Sequence, residues 1–256
     1  MNILITGKTG YLSKALVQFL STDHNITCIG RQDLLLTDKA AVNKWFEGKH
    51  FDIVLHTAIT GGNRLIPETD NILSDNIKMF FNLLYQKDKY NKFISFGSIA
   101  EYDLYSSVYG LSKNIIAQYI KDEPKFYNLR ICGLFDHNDI DTRFIKNNIN
   151  NYRLYRDQVI YKDKYMDFIY MEDLLSIVRF YIDNTNPPKL TDCVYKEKYW
   201  LSEIAVMINK LDIHKVRIQI NDTVKCTPYI GTECKLPITF LGLQEGIKRT
   251  YLNLKA

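Results

Sequence analysis

Thr6-Gly7-Lys8-Thr9-Gly10-Tyr11-Leu12-Ser13 follows at once on a short apolar run, residues 2–6, and opens an amphipathic stretch that continues to residue 20. A strand that turns through two glycines into a helix gathers backbone N–H groups and the positive end of the helix at one point, which suits a pyrophosphate. Gly7 permits the tight turn, and Gly10 lets the backbone approach a ligand closely. The third small position holds Ser13 in place of glycine, small enough to keep helix and sheet in contact. Gly7, Lys8, Thr9, Gly10, Tyr11 and Leu12 are therefore the expected dinucleotide contacts.

Working outward, short apolar runs at 26–29, 53–56, 92–96 and 126–132 alternate with stretches of helical spacing at 39–47, 69–85 and 106–120. Strand and helix alternating in this way predict an α/β fold built on a doubly wound parallel sheet, a Rossmann-type domain over 1–133. The rhythm then changes. A helix is expected over 142–150, a strand over 166–169, and a helix over 172–182 that Asp173 helps to start, with acidic groups near its positive end. The linker 184–189 carries two prolines, and two more helices fall at 201–211 and 243–252. Residues 134–256 thus read as a smaller, mainly substrate-binding subdomain, with about 164–185 returning to the first domain.

Ligands of such a sheet bind beyond the carboxyl ends of its strands. Thr57 and Ala58 follow the third strand and are expected at the cofactor. The second strand ends in Ile29-Gly30-Arg31-Gln32, with no acid before Asp33. A carboxylate at that place binds a ribose 2′-hydroxyl, whereas a cation accommodates a 2′-phosphate. Arg31, helped by Lys8, favours NADP(H) over NAD(H), since a guanidinium pairs a phosphate through two parallel bonds.

Composition narrows the class. Of 256 residues, 46% are hydrophobic and 24% charged, the balance of a folded globular protein. A net charge of +4 without a basic block gives no footprint for nucleic acid or a membrane surface. The opening residues do not form a secretion signal, so a cytoplasmic protein is expected. Five cysteines with no C-x-x-C suggest neither a disulfide framework nor a metal site.

Tyr109 and Lys113 stand four apart and share a helix face. Tyr85 with Lys89 and Tyr251 with Lys255 have the same spacing, so context must choose among them. Only the Tyr109 pair follows a strand ending in Phe96-Gly97-Ser98, which presents a hydroxyl at the carboxyl edge. Ketone reduction needs a proton at the oxygen as hydride reaches the carbon, and a free tyrosine with a pKa of ~10 is a reluctant donor. An ammonium ~4 Å away at an effective dielectric of ~20 would stabilise tyrosinate by up to ~4 kcal/mol, or ~3 pK units. Ser98, Tyr109 and Lys113 are the expected catalytic residues, with Ser98 holding the carbonyl.

These motifs resemble those of the extended short-chain dehydrogenases, the NAD-dependent epimerase/dehydratase family. The resemblance runs from the glycine loop through Ser98, Tyr109 and Lys113 to Asp167-Phe168-Ile169-Tyr170-Met171-Glu172-Asp173 and the final Leu241-Gly242-Leu243-Gln244-Glu245-Gly246. Residues 57–62, with Asp75-Asn76, are most similar to GDP-fucose synthases and related 4-keto-sugar reductases, and residues 31–38 resemble the same enzymes and dTDP-rhamnose synthases. The resemblance implies a nucleotide-sugar substrate, a cofactor contact for Lys113 and a homodimer built on helices 69–85 and 106–120. A dehydratase of the family carries an Asp-Glu pair directly after its hydroxyl residue, where this chain has Ile99-Ala100, with Glu101 one step on. The fucose synthase pattern places a cysteine where Ala100 stands, and His137 does not match its partner histidine, so inversion at C3 and C5 is not expected.

An NADPH-dependent 4-ketoreductase and an NAD-dependent 4-epimerase both remain open, with Arg31 favouring the reductase. A non-catalytic nucleotide sensor is argued against by the retained Ser98, Tyr109 and Lys113. Only eleven positions separate Ser98 from Tyr109, a shorter loop than the family usually has. Met166 stands where relatives often carry a nucleotide-binding arginine. Arg143, Lys146 and Arg153 are the candidate replacements for pyrophosphate contact.

Overall fold

The structure, a computed structural model, describes all residues except 63–66, 104–106, 223, 225 and 256, and the side chain of Lys255 is also outside the described part. The chain opens with β1 (Asn2–Thr6), α1 (Tyr11–Leu20), β2 (Asn25–Ile29), α2 (Lys39–Phe46), β3 (Phe51–His56), α3 (Asn71–Leu84) and β4 (Tyr90–Ser98). A 3₁₀ turn, Ile99–Tyr102, leads towards α4 (Val108–Asp122), β5 (Phe126–Ile131) and β6 (Gly133–Phe135). There follow α5 (Phe144–Arg153), β7 (Gln158–Lys162), β8 (Phe168–Tyr170), α6 (Met171–Asp183), β9 (Leu190–Cys193), α7 (Leu201–Ile208), β10 (Ile218–Asp222) and α8 (Leu243–Lys255).

Six strands form a parallel sheet in the order β2-β1-β3-β4-β5-β9. Ile3 lies between Ile26 and Ile53, and Ile5 between Cys28 and Leu55. A parallel sheet with helices on both faces buries both sides of its strands, which is why Ile3, Leu4, Ile5, Val54 and Leu55 form an unbroken apolar run at full burial. Between α3 and the sheet, Phe93 and Phe126 stack with ring centres 4.6 Å apart, and Phe80 meets both edge-on. From β1 the chain moves outward to β2, and from β3 it moves the other way to β4. The crevice at this reversal, beyond the carboxyl ends of β1 and β3, is where such sheets bind ligands.

The chain divides into two compact units, one of Met1–Arg130 with Phe180–Thr191, the other of Ile131–Arg179 with the residues from Asp192 onward. The returning segment is therefore 180–191, not about 164–185. The physical reason is pairing: β8 binds β6 in a separate two-stranded sheet, and β9 takes the sixth place in the large one. In the second unit β7 and β10 form another parallel pair.

Four strands, β6, β7, β9 and β10, escape a reading by hydropathy. β9 contains Asp192, which looks like a loop residue, yet this carboxylate is buried and accepts the Thr232 N–H at 2.7 Å. Asp173 lies in the first turn of α6 as expected, and it has a further task. It is buried and accepts the N–H groups of Leu241 and Gly242 and the hydroxyl of Tyr195, pinning the entry to α8. The start expected for α4 at residue 106 lies outside the described residues; the helix begins at Val108, where Ser107 Oγ accepts the Gly110 N–H at 2.8 Å. Among the described residues no helix is long and apolar enough to cross a membrane.

Candidate active site

At the end of β1, Gly7 has φ +82°, a conformation that side chains disfavour. A Cβ there would also lie 2.8 Å from Thr57 Oγ1 and 2.9 Å from the Ala58 backbone nitrogen. Thr57 Oγ1 donates to the Thr6 carbonyl and Thr6 Oγ1 accepts the Ala58 N–H, so the turns after β1 and β3 are fastened together. Ser13 is fully buried and donates to the carbonyls of Gly7 and Gly10, closing the loop from beneath. No side chain caps Gly10 and no acid occupies the first turn of α1. The positive end of that helix is left without a carboxylate, and the loop is a cradle that a Cβ would fill. Gly7 to Leu12 thus fit the pyrophosphate of a dinucleotide.

At the end of β2, Asp33 folds back so that its carboxylate accepts the Gly30 N–H at 2.9 Å and lies 3.4 Å from Lys8 Nζ. The Gly30 amide, with Lys8 adding to it, holds the Asp33 carboxyl below its ordinary range. Lys8 is thereby engaged with an acid, while Arg31 is exposed, its guanidinium 3.5 Å from Thr60 Oγ1.

Ser98 closes β4 and caps the 3₁₀ turn, its hydroxyl oxygen accepting the Ala100 N–H at 3.1 Å. Lys113, on α4, is buried, donates to the Phe96 carbonyl at 2.6 Å and lies 5.9 Å from the centre of the Tyr109 ring. Burial lowers its pKa to about 8, with the nearby Glu101 charge pulling the other way. His56, at the end of β3, accompanies it. Burial first, and then the Lys113 charge, push this imidazole down to about 3, and Nδ1 pairs with Thr6 Oγ1 at 2.9 Å. Tyr85, by contrast, is exposed beneath the Lys39 ammonium.

Several residues shape this region in ways that the sequence reading did not assign. Asn76 Nδ2 donates to the Thr60 carbonyl and to Ser112 Oγ, and Asn76 Oδ1 accepts the Thr60 N–H, tying the loop after β3 to α4. Gly62, with φ +79°, packs on the Tyr109 ring, where a Cβ would come within 3.1 Å. Glu68 accepts the backbone N–H groups of Val108 and Tyr109 at 2.7 and 3.3 Å. Glu101 accepts the Ser98 N–H and pairs with Arg130 at 2.5 Å. The Ser98-x-x-Glu101 spacing of a capping box was the available signal for the last of these.

The three cations expected at the substrate lie in the second unit. Arg143 precedes α5 and sits 3.5 Å from Asp139, half-exposed. Lys146 donates to the Asp139 carbonyl and lies 3.0 Å from the Asp141 carboxylate. Arg153 ends the same helix. Asp139 is pushed up to about 6 by burial, against the pull of Arg143.

The family model described as the NAD dependent epimerase/dehydratase family matches residues 3–192. The chain belongs to this family. As an epimerase/dehydratase family member it is an NAD(P)-dependent oxidoreductase of the extended short-chain dehydrogenase type. No curated protein matches it in sequence. Similar solved structures include a GDP-mannoheptose C4 reductase from Campylobacter jejuni with NADP bound, 18% identical with TM-score 0.79, covering 100% of this chain and 98% of that one. A GDP-L-fucose synthetase from Naegleria fowleri is 19% identical with TM-score 0.78, covering 98% and 92%. A UDP-glucose 4-epimerase from Thermus thermophilus in complex with NAD is 15% identical with TM-score 0.78, covering 100% and 99%. At these identities the likeness is one of fold.

Proposed function

We propose that the chain reduces the C4 keto group of a nucleotide-linked 4-keto-6-deoxy sugar with NADPH, in deoxysugar or surface-polysaccharide biosynthesis. When bound, the reduced nicotinamide supplies the hydride. Tyr109 donates the proton to the carbonyl oxygen, Lys113 stabilises the phenolate that this leaves, and Ser98 hydrogen-bonds the same oxygen. Arg31, exposed at the end of β2, carries the preference for a reductase over a 4-epimerase, and Glu101 bears on inversion at C3 and C5. This carboxylate, the nearest in sequence to Ser98, is spent on the Ser98 amide, Asn128 and Arg130, and Ala100 offers no proton-transfer group. Proton abstraction from C3 or C5 therefore has no base in the turn after Ser98.

Of the three cations, Arg143 and Arg153 are the better pyrophosphate ligands, because Lys146 is already held by two oxygens. A reducing, cytoplasmic setting belongs to this reading. Homodimerisation through α3 and α4 is part of the same reading, supported by the exposed rings of Tyr85 and Tyr119 with Phe81 between them.

The reaction is tested by incubating the protein with NADPH and a panel of nucleotide-linked 4-keto sugars in deuterated water. Absorbance of the reduced cofactor should fall, and C3 and C5 should stay unlabelled beyond the uncatalysed background. Enzyme-dependent deuterium at either carbon sinks the pure reductase. Rapid C4 interconversion without added reductant establishes a 4-epimerase instead.

Cofactor preference is read separately. Arg31→Ala should weaken NADP(H) by roughly tenfold or more, the worth of one charge-assisted pair, and leave NAD(H) nearly unchanged in a fluorescence titration. Equal losses for the two cofactors remove the specificity argument, and Asp33 would then be the residue that reads the ribose.

A further inference from the structure

Glu101 is 2% exposed, and three groups from two strands converge on it. Its Oε1 accepts the Ser98 N–H at 3.0 Å, Asn128 Nδ2 lies 3.1 and 3.2 Å from the two oxygens, and Arg130 Nε donates to Oε2 at 2.5 Å. Arg130 is steadied in turn by Tyr102, donating to its hydroxyl at 3.0 Å with the guanidinium 5.0 Å from the ring centre. From α4, Asn114 donates to the Glu101 carbonyl at 3.0 Å. Gly97 completes the fit, because a Cβ there would run into the Glu101 carboxylate and the Asn128 amide.

A four-residue 3₁₀ turn needs no buried ion pair to hold it. Apolar replacements of such pairs are often as stable or more so, so stability alone does not explain the carboxylate. What an apolar residue could not do is grip the Ser98 backbone from below while setting a negative charge near Lys113. We propose that Glu101 is a positioning residue of the active site, holding the Ser98 hydroxyl in register through its backbone amide and placing a carboxylate to support the Lys113 ammonium.

Among the described residues, Glu101 is the carboxylate whose charge supports Lys113. The Phe96 carbonyl of β4 accepts its proton, and Tyr109 shares its helix. From β3 comes His56, which burial keeps neutral down to about pH 3. Arg130 of β5 pairs with Glu101 and partly neutralises its charge. Burial drives Lys113 towards its neutral form, and the attraction of Glu101 opposes this. The sign follows: the ammonium is present below about pH 8 and lost above it, so removing the negative charge moves that loss to lower pH.

The inference rests on the proposed roles of Ser98, Tyr109 and Lys113, and its test has an arm that needs no substrate. In Glu101→Gln, which keeps an acceptor for Ser98 but not the charge, kcat should fall about tenfold with KM little changed. The alkaline limb of its pH profile should move down by about one unit. In Glu101→Ala, hydrogen exchange at the Ser98 amide should quicken at least ~10-fold relative to other β4 amides, while Gln rescues the protection. If the single variants fail to fold, Glu101→Gln with Arg130→Met removes both charges together and should show the same shift of the limb. An unmoved alkaline limb in a folded variant, or unchanged Ser98 exchange in the alanine variant, overturns the proposal. Should the wild type turn over no nucleotide-linked keto sugar, the reductase reading falls, and the exchange measurement still decides whether Glu101 positions Ser98.

Discussion

Tyr109→Phe is expected to lower kcat by roughly 10²–10⁴-fold, the usual worth of a positioned general acid. NADPH binding should stay within about twofold, because the cradle from Gly7 to Leu12 is untouched. Only the phenolic hydroxyl is removed, and the ring that packs on Gly62 remains. Parent activity should also carry a characteristic pH dependence. Lys113 has a folded pKa of about 8, depressed by burial from an ordinary 10.5, so the supporting cation is fully present well below pH 8 and fades as pH rises through it. In the phenylalanine variant the residual rate should lose this alkaline limb. Near-parent turnover would remove Tyr109 from the chemistry, and single-turnover absorbance at several pH values supplies the measurement.

Arg130→Met should cost about 3–5 kcal/mol of stability, the usual consequence of stranding one partner of a buried pair. Its guanidinium is 12% exposed, and the carboxylate that it neutralises is 1% exposed, so solvent screening offers little relief. For a chain of this size that corresponds to a fall of roughly 10 °C in Tm. Urea unfolding by circular dichroism, with Glu101→Gln/Arg130→Met as the comparison, reads the effect. The double variant should recover much of the loss because no unpaired charge is left in the core. A single-variant cost below about 1 kcal/mol would show that the pair is exchanged for water at no expense, as in surface pairs.

The parts of the molecule that were legible beforehand are those whose burial repeats in register with the chain. β1 and α1 begin and end where hydropathy and the glycine turn place them, because a two-sided apolar strand and a one-sided apolar helix have different periods. That Tyr109 and Lys113 share a helix face beyond the strand ending in Ser98 was legible from their spacing and context. β9 was illegible because a buried aspartate looks like a turn residue until its partner, the Thr232 amide forty positions on, is known. Asp33 was set aside as too far from the strand end, yet a tight turn returns its carboxylate to Gly30. Glu101 was weighed only as a catalytic acid. Its engagement depends on Asn128 and Arg130, partners that only the alignment of β4 with β5 brings close.

The place of β9 bears on how the protein is made. The five strands β1 to β5 are complete once residue 131 has been synthesised, but the strand that covers the outer edge of β5 begins only at Leu190. At about 5–20 residues per second, a nascent chain holds an open parallel edge for several seconds while the next sixty residues emerge. Such an edge is a template for pairing with other chains. Heterologous production should therefore gain more from slower translation or lower temperature than from changes to the finished fold. Fragments cut near residue 133 would carry the uncovered strand permanently and collect in the insoluble fraction.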